Sequence, residues 1–221
     1  MWLAADQPEE ARRNAREALA KWPSTSYVLQ HWQLMVSEAE IELYVGNGLA
    51  AYMRLERDAV ALKKSLLLHT QVLRGKTLFL RGRCAIASID AHPASRGARL
   101  REARKLVRKL ERERMPWTAP LAAILSAGIA SAEGNSSGAA ASLRTAIELA
   151  NDAAMAGYAN AALHQLGLML GGDEGADLVE KARDAMAAQG FRVPSRFASM
   201  LVPGRWAPKP PIPAAALRAL P

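Results

Sequence analysis

Apolar residues recur at intervals of three and four positions along most of the chain, the spacing that gathers them on one face of an α-helix. Similar stripes occur within residues 49–60, 143–150 and 179–186. No segment alternates Val, Ile or Thr with polar residues well enough to predict a strand. The pattern predicts an all-α fold. Its clearest stripe consists of Leu100, Ala103, Leu106, Val107 and Leu110.

Short polar turns interrupt the predicted helices at regular intervals. Three of them place a Gly that ends one helix beside an Asn, Ser or Asp that starts the next: Gly46-Asn47-Gly48, Gly134-Asn135-Ser136 and Gly171-Gly172-Asp173. A fourth break, Asp90-Ala91-His92-Pro93, lies between the first two, so the intervals are 44, 44 and 37 residues. Periods of this length predict a helical-hairpin solenoid, an α-α superhelix.

The breaks divide the chain into four predicted hairpins. We expect an N-terminal capping helix or truncated repeat within 1–25, a repeat domain over 26–203 that closes with a short helix at 194–201, and a Pro-rich disordered tail over 204–221. Proline favours an extended tail because it lacks a backbone donor. The paired helices are expected at residues 26–45 with 49–64, 66–89 with 95–114, 117–133 with 138–152, and 154–170 with 175–189.

Two resemblances accompany these hairpins. Small residues on the first helices and Gly-Asn turns resemble the tetratricopeptide repeat (TPR) family, as longer and degenerate units. The strings LQHWQLMVSEAEIELYVGNGLAA, LERERMPWTAPLAAIL and GGDEGADLVEKARDAMAAQGFRVPSRFASMLVPG resemble the C-terminal helical-repeat region of myxobacterial-type serine/threonine protein kinases. The resemblance implies a regulatory or sensor region of a bacterial signalling protein. Phosphoryl transfer is not implied, since the chain contains no Gly-rich loop, His-Arg-Asp or Asp-Phe-Gly motif.

Composition narrows the class of protein. Of the 221 residues, 50% are hydrophobic and 23% charged, which excludes a wholly disordered or collagen-like chain. The single cysteine, Cys84, cannot form an internal disulfide, and the first ten residues lack a secretory signal, so a cytoplasmic location is expected. No membrane association is predicted, because the longest weakly polar run, residues 119–132, is too short to cross a bilayer.

Some residues imitate a nucleotide or metal site. Gly75-Lys76-Thr77 matches the end of a phosphate-binding loop, but Thr70 stands where that loop needs its first Gly, and the tripeptide falls within a predicted helix. The four histidines are scattered without the spacing of metal ligands. We therefore predict no enzyme activity and no catalytic, cofactor-binding or metal-binding residue.

Two further features have plain interpretations. Glu38 and Glu42 lie one helical turn apart, and with Glu40 they are expected to form a solvated acidic strip rather than an acid/base pair. Cys84 lies in an apolar helix and is expected to be buried as a small hydrophobe, although Arg81 and Arg83 beside it leave a reactive thiol as the alternative.

Basic residues are concentrated in 96–114, which holds nine Lys and Arg against three Glu, most of the net charge of +8. Such a face would attract a phosphate-rich partner. A solvated helix is the simpler interpretation, because no aromatic residue accompanies the run for base stacking. The candidate basic patch consists of Arg101, Arg104, Lys105, Arg108, Lys109 and Arg112.

If the hairpins stack, their first helices line a concave groove. The leading hypothesis is a non-catalytic protein-interaction scaffold that binds a protein or peptide there; the alternative is a basic helical-repeat module that binds nucleic acid through 96–114. The sequence does not predict an oligomeric state. Projection from each turn places six candidate contact residues in the groove: Gln33, Glu40, Tyr44, Thr77, Ser88 and Ser131.

Overall fold

The computed structural model describes residues 2–22 and 26–206, and within these ranges it contains helices and no strand. The all-α prediction is confirmed. None of the described helices is both long and apolar enough to cross a membrane. The α-helices are α1 (Pro8–Ala20), α2 (Leu29–Tyr44), α3 (Gly48–Lys64), α4 (Gln71–Ala87), α5 (Arg96–Arg112), α6 (Thr118–Glu133), α7 (Ser136–Asp152), α8 (Ala156–Leu170), α9 (Gly172–Ala188) and α10 (Pro194–Leu201).

The predicted Gly-Asn turns have the expected geometry. Gly46 and Gly134 adopt φ angles of +83° and +78°, the left-handed region that Gly enters without steric cost. The following Asn47 and Asn135 cap the next helix, since their side chains accept hydrogen bonds from the backbone N–H of Ala50 at 3.2 Å and of Gly138 at 2.9 Å. Identical chemistry therefore starts α3 and α7.

The links between hairpins differ from the expectation. Leu66, Arg114 and Ala154 adopt φ angles of +62°, +52° and +56°, and each lies between one hairpin and the next. The helix predicted over 66–89 does not begin at Leu66, because this left-handed residue and a 3-10 helix, Leu67–His69, precede α4. Non-Gly residues in this region carry no distinctive sequence pattern, so the links were not predicted.

The helices form two layers. Each helix from α1 to α9 packs on its neighbours in sequence, and within the inner layer α2 contacts α4 and α4 contacts α6. The outer helices α3, α5, α7 and α9 pack mainly on the inner helices α2, α4, α6 and α8. The core lies between the layers, which explains why α6 buries most of its length whereas α9 buries only Gly175, Ala182 and Met186.

The segment after α9 turns back across the inner layer. Helix α10 packs on α8 and on α2, at opposite ends of the chain. The backbone N–H of Arg192 donates to the carbonyl of Ala4 at 2.8 Å, and Arg196 pairs with Asp6 at 2.9 Å. The start of the described chain is thus held directly to its last helix.

The chain then continues along the inner layer as far as Trp206. The carbonyl of Pro203 lies so close to Gly128 that a Cβ there would stand 2.6 Å from it. Trp206 is buried, and its indole N–H donates to the carbonyl of Val202 at 2.9 Å. Of the predicted disordered tail, 204–221, Arg205 is held by Ser131 and Trp206 is buried, and residues 207–221 lie outside the described residues.

Candidate functional site

The inner helices border an open groove. A cavity of about 750 Å³ lies between α1, residues 30–40 of α2, residues 76–83 of α4 and the N-terminal ends of α6 and α8, and an adjoining cavity of about 950 Å³ extends it toward α10. The two cavities form one groove because they share wall residues, namely Ala15, Ser37, Glu40, Met155 and Tyr158. The other half of the inner layer, near the turns, is covered by the segment that ends at Trp206.

Arg83 of α4 is the central polar residue of the groove wall. Its side chain is buried, and one guanidinium nitrogen donates to Glu40 at 2.9 Å while another donates to the carbonyl of Met200 at 3.1 Å. The guanidinium also lies over the ring of Phe79, 4.7 Å from its centroid. Its Nε has no hydrogen-bond partner among the described residues. Arg83 therefore joins three elements and keeps one donor free.

Aromatic side chains supply the apolar surface of the groove. Phe79 and Tyr158 meet edge to face with ring centroids 5.8 Å apart, and Trp117 lines the wall beside them. Burial raises the pKa of the Tyr158 phenol, so it stays protonated at neutral pH. Gln33 and Lys76 are exposed on the same wall. The groove therefore combines aromatic surface with a few hydrogen-bonding groups, as binding pockets do.

Two of the six predicted contact residues lie in the groove. Gln33 and Glu40 both line it, but Glu40 is not a free surface carboxylate because it pairs with Arg83. Replacing Glu40 with Ala leaves a buried guanidinium without its anion, which costs stability. A variant that tests the groove should therefore leave Glu40 in place.

The other four predicted contact residues are engaged within the protein. Tyr44 is buried and donates to Asp6 at 2.9 Å, and Ser88 is fully buried, donating to the carbonyl of Ala85. Thr77 accepts from the indole of Trp32 at 2.8 Å. Ser131 donates to the carbonyl of Arg205 at 2.9 Å and accepts from its N–H at 2.8 Å. None of these four residues lines the open groove, because the N-terminal and C-terminal segments contact Tyr44 and Ser131, and contacts within the helix layers engage Thr77 and Ser88.

The predicted solvated acidic strip is also wrong. Glu38 is buried and pairs with Arg16 at 2.9 Å and with Arg54. Burial acts to raise the pKa of Glu38, but hydrogen bonds from the two arginines outweigh it and lower that pKa below its ordinary value. Glu42 pairs with Arg12 of α1 at 2.7 Å. These carboxylates hold helices together rather than facing water.

The residues that imitate catalytic motifs occupy ordinary structural positions. Gly75, Lys76 and Thr77 lie inside α4, as predicted. Cys84 is fully buried, and burial raises the pKa of its thiol to about 12, in agreement with a packing role. Within the described ranges no three His, Cys, Asp or Glu side chains are grouped to hold a metal ion.

The basic patch lies on the outer layer, away from the groove. All six of its predicted residues are exposed on α5. Arg104 pairs with Glu133 of α6. The other five form no ion pair with a described carboxylate, and they are Arg101, Lys105, Arg108, Lys109 and Arg112.

Sequence reasoning missed Arg83, Lys76, Trp117 and Tyr158 as groove residues. One pattern could have indicated Arg83, since it is a charge inside the apolar run LFLRGRCAIA, where a buried position demands a partner. The aromatic residues carry no such mark, because only the packing of α4, α6 and α8 brings them together.

Comparison of the chain with models of protein families, with curated proteins and with solved structures finds no match. The candidate site is therefore interpreted from its geometry alone.

Proposed function

We propose that this chain is a non-catalytic interaction scaffold, a degenerate TPR-like helical-hairpin solenoid whose groove binds a protein or peptide. The observation that carries the proposal is the groove itself, which the inner helices of successive hairpins line with aromatic surface and a few polar groups. A preformed concave surface with a few anchor residues suits an extended peptide, since little entropy is lost in ordering the protein side.

The chain's own C-terminal segment supports this use of the inner layer. It lies across the inner helices and is held partly through its backbone, by Arg83 at the Met200 carbonyl and by Ser131 at both the N–H and the carbonyl of Arg205. Backbone recognition of this kind accepts many sequences, while adjacent pockets select side chains. The sequence resemblance to kinase repeat regions favours a signalling protein as the partner.

The test uses a peptide selected from a random library by the purified chain. Gln33→Ala with Lys76→Ala removes two exposed groove side chains that form no internal pair, and the matched control, Arg108→Ala with Lys109→Ala, removes two from the outer face. We expect the groove variant to weaken peptide binding by about tenfold, measured by fluorescence anisotropy, and the control to leave it unchanged. Equal binding by all three proteins would contradict the proposal.

A second candidate is nucleic-acid binding by α5, favoured by its five cations without an internal ion pair. Phosphate contacts of this kind release counterions, so affinity should fall steeply with salt. In that case Lys105→Ala should lower the slope of log affinity against log salt by about one unit for a duplex DNA probe. A slope near zero for the unaltered chain would exclude this candidate.

A further inference from the structure

Four of the unpaired cations on α5 form a straight stripe. Arg101, Lys105, Arg108 and Arg112 are separated by four, three and four residues, which places them on one face of the helix over about 16 Å. All four are exposed, and no described carboxylate pairs with them. We name this set the basic stripe. Its four charges are therefore available to an anionic surface.

Helix α9 carries an acidic stripe with the same spacing. Asp173, Asp177, Glu180 and Asp184 are also separated by four, three and four residues, and all are exposed. Arg183 lies 3.4 Å from Glu180 and 3.5 Å from Asp184, but these carboxylates remain 66% and 69% exposed and keep room for a second cation. Both stripes lie on outer-layer helices, two hairpins apart.

We propose that the partner of the basic stripe is the acidic stripe of a second copy of this chain. The spacing of four, three and four reads the same in both directions, so four cations can face four carboxylates whichever way the helices run. The antiparallel arrangement sets Arg112, near the C-terminal end of α5, against Asp173 at the N-terminal end of α9, and it opposes the two helix dipoles favourably.

The distribution of charge along the chain favours the same pairing. Residues 1–114 hold 21 Lys and Arg against 13 Asp and Glu, whereas residues 115–206 hold 6 against 8. The first part is thus strongly positive and the second mildly negative. Repulsion between whole molecules of charge +8 is screened beyond about 10 Å at ordinary salt, while the stripes act at contact distance.

The contact joins two different surfaces, so it is heterologous. Each copy offers a basic stripe to one neighbour and an acidic stripe to another, which gives head-to-tail chains or a ring. Because exposed ion pairs contribute little individually, the association should be weak and should depend on salt and protein concentration. Such assembly would present several grooves side by side.

Sedimentation velocity of the full chain tests the proposal through central stripe residues. The α5 variant carries Lys105→Glu and Arg108→Glu, and the α9 variant carries Asp177→Lys and Glu180→Lys. The control, Lys63→Glu with Lys64→Glu, makes the same charge change as the α5 variant on exposed residues of α3. Circular dichroism verifies that each protein keeps its helicity.

Mixing and combining the variants gives the decisive results. We expect the unaltered chain and the control to associate at about 50 mM salt and to dissociate at about 500 mM, and each stripe variant alone to lose at least about tenfold in association constant. An equimolar mixture of the two variants should associate as the unaltered chain does, because the unaltered stripe of each variant matches the other and the two reversed stripes also carry opposite charges. A chain carrying all four substitutions should associate with itself again.

Three results would overturn the proposal. The first is an unaltered chain that stays monomeric at low salt, the second is association that survives either reversal, and the third is a mixture of the two variants that fails to associate. If the chain is monomeric but binds a duplex DNA probe that the α5 variant does not bind, the basic stripe is a nucleic-acid surface instead. Peptide binding by the groove is measured separately, so its outcome is independent of these results.

Discussion

The two halves of the molecule are held together by different interactions. From α1 to α5, ion pairs cross between helices, as where Glu38 meets Arg16 and Arg54, and Arg81 meets Glu102. Among α6 to α9 themselves the ion pairs within the described residues are local to α9, since Glu133 of α6 pairs with α5, and α8 and α9 approach through small residues. A Cβ on Gly167 of α8 would stand 2.6 Å from the carbonyl oxygen of Gly175 on α9.

The difference shows that the same two-layer arrangement of helices can be stabilised in two ways. Small residues let backbones approach and gain dispersion contacts, which depend little on salt or pH. Buried ion pairs hold larger side chains in fixed positions but depend on the ionisation of each partner. The halves should therefore respond differently to the same perturbation.

The largest effect is expected from Glu38→Gln, which breaks the ion-pair network of the N-terminal half. Removing one partner of a buried pair costs about 3 to 5 kcal/mol. For Glu38→Gln we expect urea unfolding to show a loss of about 2 to 3 kcal/mol in unfolding free energy. The loss is at the low end because Arg54 keeps its pair with Asp58 and Arg16 is largely exposed. The matched control is Glu180→Gln, whose exposed pair with Arg183 should contribute less than about 1 kcal/mol. Equal losses would mean that the burial of Glu38 is irrelevant.

The corresponding change in the C-terminal half is Gly167→Ala. Its new methyl group must push α8 away from α9. Because overpacking of this kind costs about 1 to 3 kcal/mol, we expect urea unfolding to show a loss of about 2 kcal/mol in unfolding free energy. The control Gly157→Ala lies on the same helix with open space around it and should leave the unfolding free energy unchanged or slightly higher. A neutral Gly167→Ala would show that the helices can separate freely.

A smaller difference is expected on acidification. Burial lowers the pKa of His164 on α8 below its ordinary value of 6.5, so the unfolded chain binds the proton first and stability falls as the pH drops below about 6.5. The lowered pKa of Glu38 contributes stability that is complete above the ordinary carboxyl value of 4.5 and is lost below it. Urea unfolding at pH 7, 5.5 and 4 should therefore lose free energy in two steps, the first from His164 and the second from Glu38. His164→Gln should abolish the first step only.

The smallest change in unfolding free energy is expected at the left-handed links, which both halves of the molecule contain. Ala154 and Leu66 both link hairpins in the left-handed region, at a cost of about 1 to 2 kcal/mol each. Ala154→Gly removes this strain but adds flexibility to the unfolded chain, for a net gain of about 0.5 kcal/mol in unfolding free energy. Leu66→Gly should give a similar gain, because Leu66 is 67% exposed and little packing is lost. A loss at either site would show that the link carries unrecognised contacts.

Much of the helix pattern could be predicted from the sequence, because it depends on local chemistry. The apolar stripe of α5 and the Gly-Asn turns at Gly46 and Gly134 act within a few residues of each other, and the structure has them as expected. The links at Leu66 and Ala154 were missed because no residue type marks them.

The candidate site was harder to predict, because it depends on contacts between distant parts of the chain. Gln33 lines the groove, on the helix face that periodicity indicates. Ser131 and Tyr44 were misplaced because Arg205 and Asp6 reach them from segments distant in sequence. Periodicity identifies which face of a helix is covered, but it does not identify what covers it.

The contacts of Arg192 with Ala4 and of Arg196 with Asp6 affect how the molecule unfolds. In a linear array of helix pairs, the terminal pairs have one neighbour each and open first, so unfolding proceeds in stages from the ends. Here the residues before α1 are held to the segment of α10, which packs on both α2 and α8, so neither end can open without releasing the other. The chain is therefore expected to lose its structure in a single cooperative transition, a behaviour that belongs to globular domains rather than to linear repeat arrays.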